Sequence, residues 1–166
     1  MALNAYLKLV GQKQGQIKGS VNQKGHEDSI LVHAYSHEIL IPYDPASGQA
    51  TGKRQHRPLT IVKEVDKATP ALHTAAATNE NLSSFTLQFW EPQMRAGVGA
   101  GTEVQSFTIK LTNARIASVK SAMLDNLDPL LTKFPLTEEW SFTYQKIEWT
   151  WNDGGLTSVD EWLSVP

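Results

Sequence analysis

Apolar residues alternate with polar ones along most of the chain, the period-two signature of strands with one buried face. In "NAYLKLV", Ala5, Leu7 and Leu9 fall on one face and Asn4, Tyr6 and Lys8 on the other. "RPLTIVKEV" places Leu59, Ile61 and Val65 together, and "SSFTLQFWE" does the same with Phe85, Leu87 and Phe89. "SILVHAYSHEILI" is too long and too β-branched at its ends to prefer a helix. Two longer runs change phase part-way. "EVQSFTIKLTNARIASV" carries Phe107, Ile109 and Leu111 on one face and then Ile116 on the other. "LTEEWSFTYQKIEWTW" aligns Trp140, Phe142 and Tyr144, then moves to Ile147, Trp149 and Trp151. Such a phase change predicts a bulge or sharp bend where a long strand passes from one sheet to another. Periodicity leaves open whether both aromatic sides belong to one barrel wall or one of them meets another subunit.

One segment breaks the alternation. In "DKATPALHTAAATNEN", Thr69 is placed to N-cap and Pro70 suits the first helical position. A short helix over 70–78 is predicted, with Leu72 and the alanines packed inward. A further helical turn in "SAMLDNLDPLL" is interrupted by Pro129. "RAGVGAGTE" reads as a hairpin loop between two strands. The polar stretch "PYDPASGQATGKRQHR", residues 42–57, is longer than an ordinary connection, and connections of that length are functional or disordered. The pattern therefore predicts a mainly β domain with one helix, arranged as a barrel or tight sandwich.

Composition narrows the function. A chain of 166 residues with 40% hydrophobic and 19% charged content predicts one globular domain spanning 1–166. Fifteen basic against seventeen acidic residues, a formal charge of −2, argue against a role in neutralising a phosphate backbone. The chain has no cysteine, which excludes zinc–thiolate sites, disulfides and thiol nucleophiles. The start, "MALNAYLKLVGQKQGQ", has no basic region ahead of its apolar residues, and Asn4 and Lys8 interrupt them. It does not read as a Sec signal peptide, and no segment is long enough to span a bilayer, so synthesis in the cytoplasm is expected.

Candidate chemistry is sparse. "GQATGKR" departs from a P-loop: only three residues separate Gly48 from Gly52, Arg54 stands where a hydroxyl is needed, and a strand follows instead of a helix. "GVGAG" lacks the strand and helix of a dinucleotide site. His33 and His37 share a strand face but stand roughly 13 Å apart at ~3.3 Å per residue, too far to chelate together. His26, His56 and His73 have no evident local partner, and Glu138 and Glu139 point to opposite strand faces, as solvated carboxylates do. There is no G-x-S-x-G elbow. No catalytic, cofactor or metal site is predicted. "GKRQHRP" gathers three cations and a histidine but no aromatic residue for base stacking. Pairing with acidic groups of another protein suits it better, because Arg54 and Arg57 are built for bidentate carboxylate contacts.

Over residues 47–80, "SGQATGKRQHRPLTIVKEVDKATPALHTAAATNE" resembles the haemolysin-coregulated protein (Hcp) family, the tube subunits of bacterial type VI secretion. The Gly-Lys-Arg-Gln-His run at 52–56, Pro58, Lys63-Glu64, Asp66-Lys67 and Thr69-Pro70 carry the resemblance. The opening strand with its glycine-rich turn and "SFTIKLTNARIASV" add to it, so that nearly the whole length is covered. The resemblance implies a small β-barrel of two antiparallel sheets with one short helix at the side and a long extended loop. It implies a non-enzymatic protomer whose hexameric rings stack into a tube, driven out by a contractile sheath beneath a spike, with effector proteins carried in the lumen. It also implies secretion without a Sec signal, and neither nucleic-acid binding nor membrane insertion. The ring-stacking loop would be residues 42–57, with Asp44, Ser47, Gln49, Lys53, Arg54, Gln55, His56 and Arg57 as the candidate contacts. A phage-like tail-tube subunit is an alternative within the same architecture, and a β-barrel nucleic-acid or ligand-binding domain is an alternative outside it.

Overall fold

The computed structural model describes residues 4–92 and 103–162. In chain order the elements are β1 (Asn4–Gly11), β2 (Gly15–Ile17), β3 (Ile30–Val32), β4 (Ala34–Ser36), β5 (Ile39–Leu40), β6 (Gln55–His56) and β7 (Leu59–Glu64). Helix α1 (Thr69–Ala77) follows, then β8 (Leu82–Pro92), β9 (Glu103–Thr112), β10 (Arg115–Ala122), β11 (Thr137–Thr143), β12 (Lys146–Trp151) and β13 (Leu156–Glu161). The glycine-rich hairpin loop expected after β8 lies almost entirely outside the described residues.

Two antiparallel sheets enclose one core. The larger runs β13-β12-β9-β8-β1-β2, with β3 also pairing with β1, and the smaller runs β10-β11-β7-β4. Strands β5 and β6 form a separate two-stranded piece. Both predicted phase changes are corners where the chain leaves one sheet for the other. Strand β9 belongs to the large sheet and β10 to the small one; β11 belongs to the small sheet and β12 to the large one. At the first corner Asn113 takes a left-handed backbone, φ 51°, which asparagine tolerates better than most residues. Its side-chain amide donates to Gln145 Oε1 at 2.7 Å, and the Gln145 N–H donates to the Thr112 carbonyl at 3.1 Å, so the two corners are stapled together. A third corner lies inside "SILVHAYSHEILI". Strand β3 pairs in the large sheet and β4 in the small one, and between them the His33 N–H donates to the Val62 carbonyl at 2.8 Å.

The corners decide the question of the two aromatic sides. Trp140, Phe142, Tyr144 and Ile147 are all buried in the same core, together with Leu7, Leu59 and Phe85. There is one interior, reached from two sheets, and only Trp151 of the aromatic series is left exposed. Each such fully buried large side chain contributes about 1.5–3 kcal/mol.

Three local readings change. Val65 lies beyond the end of β7 and is exposed, and the inward position after Leu59 and Ile61 belongs to Lys63. Helix α1 runs over Thr69–Ala77, and Thr69 does not cap it. The Thr69 hydroxyl accepts the Asp66 N–H at 3.1 Å and donates to Glu138 at 2.9 Å. The helix buries Leu72 and Ala75 and ends with Asn79 at φ 50°, where the Glu80 N–H returns to the Ala75 carbonyl at 2.8 Å. The segment after β10 forms turns and no helix, as the break at Pro129 requires.

Candidate assembly site

The long connection is an ordered hairpin arm. Strands β5 and β6 pair Ile39 with His56 and Leu40 with Gln55, and the Arg57 N–H donates to the Glu38 carbonyl at 2.9 Å. A bridge between Tyr43 and Ala50 continues the ladder, and the Thr51 N–H donates to the Pro42 carbonyl at 2.9 Å. At the tip the Asp44 N–H reaches the Gln49 carbonyl, and the Gly48 N–H reaches the Asp44 carbonyl, both at 2.8 Å. Gly48 sits at φ 69°, a conformation a side chain would strain. The Asp44 carboxylate accepts the Ser47 hydroxyl at 2.7 Å and the Ala46 N–H at 3.0 Å. Those bonds, Ser47 foremost, hold its carboxyl below the ordinary range.

The base of the arm is tied to the barrel through a chain of polar groups. His37 Nε2 and His56 Nδ1 both lie 2.7 Å from the Tyr144 hydroxyl, and His56 Nε2 lies 3.0 Å from Asp160. Arg54 makes a bidentate contact with Asp160 and a further bond to the Glu161 carbonyl at 3.2 Å. One proton arrangement satisfies every pair: His56 donates from Nε2 to Asp160, Tyr144 donates to His56 Nδ1, and His37 donates from Nε2 to the Tyr144 oxygen. The Trp162 ring lies over His56, with centroids 5.6 Å apart. Burial, and then the neighbouring His56, lower the affinity of His37 for a proton. Hydrogen bonds from Arg54, and after it from His56, hold Asp160 ionised below the usual carboxylate range. Burial and Asp160 together raise the Tyr144 phenol.

The basic run is thereby split by strand alternation. Lys53, Gln55 and Arg57 are exposed, while His56 is buried and Arg54 is turned onto Asp160. Asp44, Ser47 and Gln49 form the tip. Sequence reasoning missed His37, Tyr144 and Asp160; His56 contacts Tyr144 across 88 positions and Asp160 across 104, a separation that leaves no local signal.

The rest of the distinctive run is also structural. Lys63 Nζ, fully buried, lies 2.9 Å from Asp66, 3.0 Å from Glu138, 2.7 Å from the Glu64 carbonyl and 3.1 Å from the Thr69 hydroxyl. Glu138 also accepts the Trp140 indole N–H at 3.1 Å. Glu138 and Glu139 do point to opposite faces, but Glu138 is sunk in the core as half of a buried ion pair and is not solvated. Lys67 and Lys18 both pair with Asp28, at 3.1 and 2.9 Å. His33 faces Glu64 at 3.2 Å and so does not share a partner with His37. His26 stacks on Tyr6 with centroids 4.0 Å apart.

Comparison with known proteins follows the same lines. The profile of the family described as "Type VI secretion system effector, Hcp" matches residues 6–151. The "Major exported protein" of Pseudomonas aeruginosa is 38% identical, over 99% of this chain and 98% of that protein. Among solved structures, the chain is similar to a tryptophan-substituted Hcp1 of E. coli EAEC 042, with TM-score 0.83, 33% identity and coverage of 97% and 99% of the two chains. It is similar also to the secreted protein Hcp3 of Pseudomonas aeruginosa, with TM-score 0.77, 32% identity and coverage of 98% and 100%.

Proposed function

The chain belongs to the Hcp family of type VI secretion proteins, and from that premise we propose how it serves as a tube subunit. Hexameric rings of it stack through the arm, and the resulting tube leaves the cell under a spike when a contractile sheath drives it. Effector proteins travel in the lumen. A ring needs a head-to-tail interface, in which one surface meets a different one and the rotation closes.

The observation that carries this reading is the arm. It is an ordered hairpin fixed at its base by Arg54 and His56, with Asp44, Ser47, Gln49, Lys53, Gln55 and Arg57 exposed along it to meet a neighbour. Arg54 and His56 act as anchors inside the protomer, and the outward residues supply the contact. The buried polar groups around the arm are used to position it, as a structural part requires.

Exposed ion pairs contribute only about 0.2–1 kcal/mol each. Repeated around a ring, they decide whether rings stack while leaving the tube able to come apart. The test is Lys53→Glu with Arg57→Glu, two positions that leave the anchor intact. Light scattering should show ring mass unchanged, and electron microscopy should show stacking lost at salt concentrations where the parent protein stacks. Equal stacking of variant and parent at low and high salt would overturn the role of the arm. A parent protein that stays monomeric at high concentration would overturn the tube.

A further inference from the structure

The small sheet carries a protruding loop at each end. The arm joins β7 at Leu59, and at the opposite end the register Glu64↔Thr137↔Ala122 brings β7 beside the connection between β10 and β11, residues 123–136. The six residues of β7 separate the two ends by about 17 Å at ~3.3 Å per residue.

This second loop is built from two successive Asp-X-Leu turns. The Asp125 carboxylate accepts the Leu127 N–H, and the Asp128 carboxylate accepts the Leu130 N–H, each at 2.9 Å. Such turns fix the backbone locally. Leu127 is 86% exposed and Leu130 77%. Ordered loops that hold leucines in water mark interaction surfaces.

The arm offers the complement. Its outgoing limb exposes Ile41 at 57% and Tyr43 at 63%, and its returning limb exposes Lys53 and Arg57. The arm thus presents apolar groups with Lys53 and Arg57, the latter 4.0 Å from Glu38, while Asp44 is satisfied within the tip. The loop presents apolar groups with two carboxylates against one cation, Lys133. The balance of charge is positive on the arm and negative on the loop, which favours a contact that propagates head to tail.

We propose that loop 123–136 is the receptor for the arm of a second copy in the adjacent ring. Leu127 and Leu130 take up Ile41 and Tyr43, while Asp125 and Asp128 face Lys53 and Arg57. This rests on the arm-mediated stacking proposed above and names the surface that the arm meets.

Because the chain has no cysteine, the contact can be trapped. Proteins carrying Tyr43→Cys and Leu127→Cys singly are mixed and oxidised, and Leu127→Asp is examined beside them by light scattering and electron microscopy. The expected result is a mixed disulfide between the two variants. Leu127→Asp should keep its ring mass and melting temperature and lose stacking at least tenfold. Disulfides formed only between two Tyr43→Cys copies would mean that arms meet arms, and would overturn the proposal. Ring dissociation in Leu127→Asp would assign the loop to the ring seam, and would overturn it too. If Leu127→Asp stacks normally while the Lys53 and Arg57 reversals do not, the arm meets another surface and only this inference falls. If all these variants stack like the parent, the stacking role of the arm falls with it.

Discussion

Lys63 is a fully buried charge, and its environment explains why it stays there. Burial alone would raise the Glu138 carboxyl, but hydrogen bonds from Trp140, Lys63 and Thr69 outweigh burial and leave it below the ordinary range, ionised opposite the ammonium. Removing one partner strands the other, at a cost of about 3–5 kcal/mol. Lys63→Met should therefore lower the unfolding free energy read from the urea midpoint by that much, and adding Glu138→Leu should restore most of it. An unchanged midpoint for the single variant would show that the pair does not hold the helix start. At this scale the sequence was half legible. Leu59 and Ile61 give the parity that puts position 63 inside, but Glu138 lies 75 positions away, and nothing local says that a lysine there has a partner.

Among the elements, the base of the arm shares one hydroxyl between His37 and His56, beside the Arg54 and His56 contacts to Asp160. Tyr144→Phe removes the group bonded to both His37 and His56, and each unsatisfied buried polar group costs about 1–3 kcal/mol. The variant should lose stability in that range, and amide exchange at Gln55 and His56 should rise more than exchange in β8 and β9. Uniform acceleration across the barrel would mean that Tyr144 is a core residue with no special hold on the arm. The arm itself was visible in the sequence as an overlong connection, but its strands were not. Strands β5 and β6 have two residues each, too few for alternation to register, so Arg54 and His56 read as members of an exposed basic cluster. Corners were easier: Asn113 and the stretch after Tyr144 betray themselves by a change of phase. The corner at His33 joins strands of only three residues and leaves the run looking uniform.

For the whole molecule, the histidine–carboxylate chain contributes to the response to acid in two steps. The second is shared with other carboxylates held low, such as Glu138 and Glu80. The folded state holds His37 below its ordinary value of 6.5 through burial and the nearby His56, so the unfolded chain binds that proton more readily. The stability tied to neutral His37 is complete above that value and is lost progressively as pH falls below it. Asp160 is held below its ordinary 3.8 by Arg54 and His56, so its contribution is complete above that value and disappears as pH falls through its lower folded value. Melting temperature measured from neutral pH downward should therefore decline first below about 6.5 and again in the carboxylate range. His37→Gln should flatten the first decline and leave the second. Equal slopes for variant and parent would remove His37 from the account.

The three corners have a mechanical meaning. At His33, at Asn113 and between Tyr144 and Gln145, one sheet becomes the other through continuous backbone. Axial thrust delivered to one wall of a protomer reaches the other wall through covalent bonds as well as through packed side chains. Shearing the walls past each other would mean straining peptide geometry, which is far stiffer than a sliding hydrophobic contact. In the driven tube proposed above, cross-bracing of this kind lets the chain itself bear the force, and the joints between rings are left free to separate afterwards.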